Sequence, residues 1–117
     1  MLHGVLAAFV SKYGYNEGAF TSPDGTEGNV QYLHLFIDAL SLQPCNPTRT
    51  SILLSARIVS DHAFECTVVQ ARDAWIQADV NRYAGANACL IWNAFADRGL
   101  GVNAANYEDD SSVPAGC

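Results

Sequence analysis

The sequence is poor in basic residues. Lysine and arginine together number 6 against 12 acidic residues, and the 117-residue chain carries a net charge of -6. Because binding to nucleic-acid phosphates requires clustered Lys and Arg, this composition argues against a nucleic-acid surface. Long apolar runs are missing too. The stretches at residues 33–37 and 52–54 are far shorter than the ~20 residues that span a membrane, which excludes a transmembrane helix in this sequence.

Histidine is equally scarce, with only His3, His34 and His62. The HExxH zinc motif needs two histidines four residues apart, and no two are so spaced. Residues 62–65 match the start of the inverted HxxEH motif, but Cys66 stands where its second histidine belongs. His3 is interpreted as an exposed residue, and His34 as a satisfied or exposed one. We therefore predict no catalytic, cofactor-binding or metal-binding residue in this chain.

Other polar residues give only weak indications of chemistry. Cys66 and His62 would adjoin on a helix, as a Cys–His nucleophile pair does, but nothing marks an oxyanion hole or an orienting acid. Asp73, Asp79 and Asp97 are spaced for helix surfaces and are interpreted as solvated charges.

Amphipathic helices account for most of the chain. Residues 1–12 place apolar side chains on one helical face, and this spacing favours a helix over a signal peptide. The face comprises Leu2, Val5, Leu6, Phe9 and Val10. A second helix is predicted over Val30–Leu42, ended by Pro44 and Pro47. Its predicted inner face comprises Val30, Leu33, Ile37 and Leu40, widened by Phe36 and Ala39.

The stretch Val69–Val102 predicts an αα-hairpin. Gly85 ends its first helix, and Gly99 follows its second, which starts at about Ala86. The predicted inner face of the first helix comprises Val69, Trp75, Ile76 and Val80, with Arg72, Asp73, Gln77, Asp79 and Arg82 mostly elsewhere. The second buries Leu90, Ile91, Ala94 and Phe95. The aromatic residues Trp75, Trp92 and Phe95 are interpreted as core.

The connections are rich in turn residues. Residues 13–29 contain Pro23-Asp24-Gly25, and their acidic residues lack the spacing of an EF-hand calcium loop, which favours an ordinary solvated loop. Residues 99–117 form an irregular tail that Cys117 is hypothesised to tether. Four cysteines in a short chain favour an oxidising compartment. Their pairing stays open among Cys45, Cys66, Cys89 and Cys117.

Several blocks of the sequence resemble one known family. The runs ALSLQPCNPT, QARDAW, DVNRYAGANAC, IWNAFADRGLG and VPAGC are similar to the C-terminal end of fungalysins, secreted fungal zinc metalloendopeptidases of the thermolysin-like superfamily. The resemblance covers residues 1–48 and 68–117. It implies a mostly α fold, the C-terminal helical lobe of a thermolysin-like metallopeptidase, built of αα-hairpins with irregular loops.

The resemblance also implies a function. The full-length family hydrolyses peptide bonds outside the cell with a zinc-activated water. Residues 1–117 would be one helical part of such an enzyme, inactive alone and without zinc of its own. Their partners would be the N-terminal zinc-bearing lobe and propeptide, and the full enzyme would act on proteins or peptides. The alternative is a non-catalytic helical interaction module derived from the same family.

The segment Arg49–Thr67 has no counterpart in the family pattern. Without it, the flanking residues join as CNPT–VVQARDAW, the family junction. In the sequence as given, Thr67 stands three residues before Gln70. If residues 49–67 were removed, Thr48 would take that place, so either threonine would form the same capping box with Gln70. We hypothesise that residues 49–67 are an insertion, either a translated intron or a gene-model error.

Overall fold

The structure, a computed structural model, describes residues 1–43, 68–105 and 108–117. Within these ranges it contains four α-helices and no β-strand. The helices are α1 (Leu2–Tyr13), α2 (Gly28–Leu42), α3 (Val68–Tyr83) and α4 (Ala88–Ala96). The predicted mostly α fold is confirmed. The predicted insertion at 49–67, with His62 and Cys66, lies outside the described residues, and so does Cys45.

The four helices surround one apolar core. Helix α2 packs against α1 and α3, while α4 packs against the same two helices from the other side. The core comprises Val5, Phe9, Leu35, Ala39, Ala74, Trp75, Ala78, Ile91, Ala94 and Phe95. Trp75 lies at its centre, with its ring 5.2 Å from that of Tyr32 and 6.4 Å from that of Phe95. Trp75 and Phe95 are therefore core residues, as predicted, whereas Trp92 is only half-buried.

Helix α2 faces the core with only some of the residues predicted. Leu35 and Ala39 are fully buried, whereas Ile37 is 64% exposed and Leu40 47% exposed. The predicted inner face is therefore wrong for Ile37 and Leu40, whereas Val30 and Ala39 are buried as predicted and Phe36 packs against the core. The reason is that α2 carries apolar residues on opposite sides, so the periodicity alone could not decide which side turns inward.

Helix α3 departs from its predicted face as well. Val80 is 48% exposed, while Arg72 is 5% exposed and Asp79 fully buried. The interpretation of Asp79 as a solvated charge is wrong, because its hydrogen-bonding partner lies in the turn after α3. Asp97, by contrast, is exposed as predicted.

Both glycine turns of the hairpin are confirmed. Gly85 and Gly99 each have φ of +79°, a left-handed conformation that glycine adopts without the strain of a Cβ. After α4, the Gly99 N–H donates to Ala96 O and the Leu100 N–H donates to Phe95 O, each at 3.0 Å. This is the Schellman arrangement, which satisfies the last carbonyls of the helix.

The tail beyond Gly99 is irregular, as predicted, and it folds back on the helices. The Val102 N–H donates to Ser112 O at 3.0 Å, and the Asp110 N–H donates to Gly99 O at 2.8 Å. A disulfide joins Cys117 to Cys89, the second residue of α4. The proposed tether is thus present in the structure. In the part of the chain described here, no helix has the length and apolar character needed to cross a membrane.

Candidate functional site

The most deeply buried polar groups meet at the turn between α3 and α4. Asp79 is 0% and Asn87 1% exposed. One Asp79 carboxylate oxygen accepts the Asn87 backbone N–H at 2.9 Å, and the other accepts the Asn87 side-chain amide at 2.8 Å. Asn87 is also the N-cap residue of α4. The carboxylate therefore lies at the positive end of the α4 dipole, which favours a negative charge there.

The same turn is hydrogen-bonded to α1 and α2. The Tyr13 hydroxyl donates to Asn87 Oδ1 at 2.6 Å. The Gln31 side-chain oxygen lies 3.5 Å from Asn87 Nδ2, and its nitrogen donates to Thr26 O at 2.5 Å. These residues, together with Asp79, form a closed group that we call the polar junction. Because Asp79 is inaccessible to solvent and both of its oxygens accept hydrogen bonds, the junction orients helices rather than transferring protons to a substrate.

A buried guanidinium holds the tail against the hairpin. Arg72 donates through Nη1 to Leu100 O at 3.3 Å and to Gly101 O. Its Nε and Nη2 donate to Asp73 Oδ1 at 2.9 and 2.7 Å. The guanidinium also lies 4.6 Å from the centroid of the Trp92 ring, a cation–π contact. Trp92 thus lies at the edge of the core, where its ring stacks against the Arg72 guanidinium.

Surface contacts fix the rotation of α2 against α3. Asp38 accepts from Arg82 Nε at 2.5 Å and from Nη2 at 3.0 Å. One helical turn earlier, His34 Nδ1 lies 3.0 Å from the Tyr83 hydroxyl. Burial raises the pKa of the Tyr83 phenol above its ordinary value. His34 is therefore a satisfied histidine, as interpreted from the sequence, and His3 is exposed.

The described residues do not fit a zinc ion. Across residues 1–43, 68–105 and 108–117, no group of three or more His, Cys, Asp or Glu side chains is placed to hold a metal. His34 is occupied by Tyr83, and His3 lies on the opposite helix face from the core residue Val5. A protein zinc site requires three or four converging N, O or S ligands.

A shallow cleft lies between α1 and α4. Its volume is about 290 Å³. The residues that line it are Gly4, Ala8, Leu90, Asn93, Ala94, Asp97 and Arg98. The cleft lacks the convergent polar groups and buried titratable residues of a typical active site.

The sequence analysis did not predict that Arg72 and Asp79 are buried, although their spacing indicates it. The two residues stand three before and four after Trp75, so that all three share one helical face. A charged residue on the face of a core tryptophan is predicted to be buried with a partner. The partners themselves, in the tail and in the next turn, cannot be deduced from that spacing.

Within the described residues, the chain is a helical lobe in which the Cys89–Cys117 disulfide joins the tail to α4. A family model described as fungalysin metallopeptidase (M36) matches residues 1–66 and 55–104. The chain therefore belongs to the fungalysin metallopeptidase family.

Individual relatives agree with the family match. The chain is 35% identical over 126 residues to the extracellular metalloproteinase mep of Aspergillus niger, covering all of this chain and 17% of the relative. It is 36% identical over 124 residues to probable extracellular metalloproteinase 5 of Trichophyton verrucosum and to extracellular metalloproteinase 1 of Trichophyton tonsurans. These alignments cover all of this chain, and 17% and 16% of the two relatives. The chain thus spans about one-sixth of the length of the curated relatives it matches.

Proposed function

We propose that residues 1–117 form the C-terminal helical lobe of an extracellular zinc metalloendopeptidase. The observation that carries this proposal is the family match along the chain, combined with relatives named extracellular metalloproteinases. In such an enzyme, a zinc-activated water hydrolyses peptide bonds of proteins or peptides. The zinc ligands would come from residues outside these 117, in an N-terminal zinc-bearing lobe made, with its propeptide, as part of the same protein.

This chain would contribute structural support rather than catalytic groups. The polar junction and the buried Arg72 fix the angles between the four helices and the course of the tail. A rigid lobe would hold the substrate at a constant position relative to the zinc-bearing lobe. The reacting groups of substrate and enzyme would thereby stay aligned. The Cys89–Cys117 disulfide supports a location outside the cell, because such bonds persist in oxidising compartments.

Two protein preparations test the proposal. The 117-residue chain, purified alone, is expected to bind no stoichiometric zinc and to cleave no casein. The whole polypeptide from which these residues come is expected to cleave casein until a chelator is added. Chelator-sensitive cleavage by the 117-residue chain would contradict the supporting role. A whole polypeptide that is secreted and folded but never cleaves casein would contradict the enzymatic function.

We also propose that residues 49–67 interrupt the family domain. The family model matches in two segments that overlap at residues 55–66, inside this stretch, which supports the proposal. Sequencing the mature transcript tests whether the stretch is translated. A message without codons 49–67 is expected, whereas one that retains them would refute the intron hypothesis.

A further inference from the structure

We propose that Asp24 and Gly25 form a self-modification site, at which the backbone isomerises from aspartate to isoaspartate through a cyclic imide. The carboxylate of Glu27 acts as the base in this reaction. Asp24-Gly25 is the only place in the sequence where a glycine directly follows an aspartate or an asparagine. Glycine leaves its own peptide nitrogen sterically accessible, because it has no Cβ. This chemistry lies outside the proposed proteolytic function.

The two reacting groups are accessible and have no competing partner. Asp24 is exposed and lies in the turn before α2, outside any helix. Among the described residues, its carboxyl group makes no hydrogen bond or ion pair, and the Gly25 N–H has no acceptor. Imide formation brings the amide nitrogen onto the side-chain carbon, a movement that a hydrogen-bonded helical backbone prevents. The turn therefore permits a reaction that a helix would block.

Glu27 places a buried carboxylate oxygen beside the same peptide unit. Its Oε2 has no hydrogen-bond partner within the part of the chain that the structure describes. A Cβ added to Gly25 would lie 2.2 Å from this oxygen, so the carboxylate occupies space that any larger residue would need. Buried polar atoms without a partner are few in folded proteins, and each calls for an explanation. Next to the α-carbon of Gly25, this oxygen can accept the proton of the adjoining amide.

The reaction is balanced and needs only water. When the Asp24 carboxyl is protonated, the Gly25 nitrogen attacks its Cγ, so that a C–N bond forms and the Cγ–OH bond breaks. Glu27 takes the amide proton and returns it to the departing hydroxyl, which leaves as water. A second water then attacks the main-chain carbonyl carbon of Asp24 and breaks its bond to the Gly25 nitrogen. The chain then runs through the side-chain carbons of residue 24, as isoaspartate.

Isomerisation would disturb the start of α2, because the residues after Gly25 are tied to the rest of the fold. The Gly28 N–H donates to Gly14 O at 2.9 Å, and the carbonyl of Thr26 accepts from the side chain of Gln31 in the polar junction. Isoaspartate adds one carbon to the main chain just before these contacts, a lengthening of about 1.5 Å. The aged protein is therefore expected to have a lower Tm than the fresh protein.

Mass spectrometry of aged protein tests the inference. The whole polypeptide is incubated at 37 °C for several weeks in water labelled with heavy oxygen, returned to ordinary water and digested with chymotrypsin. Hydrolysis of the imide is expected to leave one labelled oxygen atom in the peptide 21–32, and electron-transfer fragmentation is expected to find isoaspartate at position 24. Asp97 is the matched control in the same sample. It is also exposed, but the N–H of its neighbour Arg98 donates to Phe95 O at 3.0 Å, so no label is expected there.

Two variants test the role of Glu27. Glu27→Gln keeps the size of the side chain and removes the base, so labelling at Asp24 is expected to slow by about tenfold or more. Glu17→Gln removes an acid from the same loop that does not lie against Gly25, and it is expected to leave the rate unchanged. Both variants keep the chymotryptic peptide 21–32, so their rates are compared directly.

The other outcomes overturn the inference. Absence of label in peptide 21–32, or equal isomerisation at positions 24 and 97, shows that Asp24-Gly25 is not a self-modification site. Unchanged labelling in Glu27→Gln, or equal slowing in both variants, removes Glu27 from the reaction. None of these readouts depends on casein cleavage, so failure of the proposed function is distinguished from failure at this site.

Discussion

Both carboxylate oxygens of Asp79 accept hydrogen bonds from Asn87, one from its backbone N–H and one from its side-chain amide, at 2.9 and 2.8 Å. The pair is out of contact with solvent and spans the turn between α3 and α4. Asn87 in turn accepts from Tyr13 of α1. One carboxylate thus determines how the hairpin meets the first helix.

Replacing Asp79 by alanine is expected to lower the free energy of unfolding by about 3 kcal/mol. The change leaves the Asn87 amide groups buried without an acceptor, and an unsatisfied buried donor costs about 1–3 kcal/mol, more when the lost partner is charged. Urea unfolding at pH 7 measures the difference. The control is Asp24→Ala in the exposed loop before α2, expected to stay within about 0.5 kcal/mol of the parent. Equal urea midpoints for the two variants would contradict the importance of the junction.

The hairpin and the first helix could be predicted because their signals are local. Gly85 and Gly99 end helices through their own backbone freedom, and both have the expected positive φ. Trp75 and Phe95 are large apolar residues on helical faces, and both are buried. Such features depend on residues within one or two turns, which the sequence displays directly.

The orientation of α2 and the burial of Arg72 could not be predicted in the same way. Leu35 and Ile37 are both apolar, and only the packing of Trp75 against Tyr32 decides which side faces inward. Arg72 finds its acceptors at Leu100 and Gly101, 28 and 29 residues along the chain. Contacts at such separations depend on the tertiary fold, and no local pattern encodes them.

Gly28 permits α2 to begin directly against α1. Its N–H donates to Gly14 O at 2.9 Å, and a methyl group on its Cα would collide with the backbone of Phe9 and Val10. Gly28→Ala is expected to lower the free energy of unfolding by about 2–3 kcal/mol, since overpacking against backbone cannot be relieved by a rotamer change.

The matched control for Gly28→Ala is Gly4→Ala. A methyl group at Gly4, within α1, would meet no atom within 4 Å. This variant is expected to be more stable than the parent by about 0.5–1 kcal/mol, because alanine loses less backbone entropy in a helix. Thermal unfolding monitored by circular dichroism measures both. The close approach of the two helices would be disproved if both variants shifted in the same direction by similar amounts.

The Cys89–Cys117 disulfide closes a loop with a sequence separation of 28 residues. Replacing both cysteines by serine is expected to lower the free energy of unfolding by about 3–4 kcal/mol, through the greater freedom of the unfolded chain. Trypsin cuts after Arg82 and Arg98, which places the two cysteines on peptides 83–98 and 99–117. Mass spectrometry without reductant is expected to find these peptides linked, and reduction to separate them. An alkylated Cys117 in the untreated secreted protein would disprove the bond.

The Asp38–Arg82 ion pair predicts a pH-dependent coupling between α2 and α3. The hydrogen bond from Arg82 lowers the pKa of the Asp38 carboxyl below its ordinary value, and the positive charge of Arg82 adds to this effect. A carboxyl whose pKa is lower in the folded state stabilises the fold above its unfolded pKa, near 3.9, and this contribution disappears as the pH falls through the lowered value. The side chains of Asp38 and Arg82 remain 30% and 41% exposed, so we expect a coupling of only about 0.2–1 kcal/mol at pH 7.

A double-mutant cycle isolates this coupling from the other effects of each substitution. Asp38→Asn, Arg82→Gln and the double variant are unfolded with urea at pH 7 and again at a pH below the lowered pKa of the folded Asp38 carboxyl. The coupling is expected at pH 7, and it should diminish in 1 M salt, because a partly exposed pair is screened. It should vanish once Asp38 is protonated in the folded state, since the neutral carboxyl no longer attracts the guanidinium. A coupling of equal size at both pH values would show that packing of the two side chains, rather than their charges, holds α2 against α3.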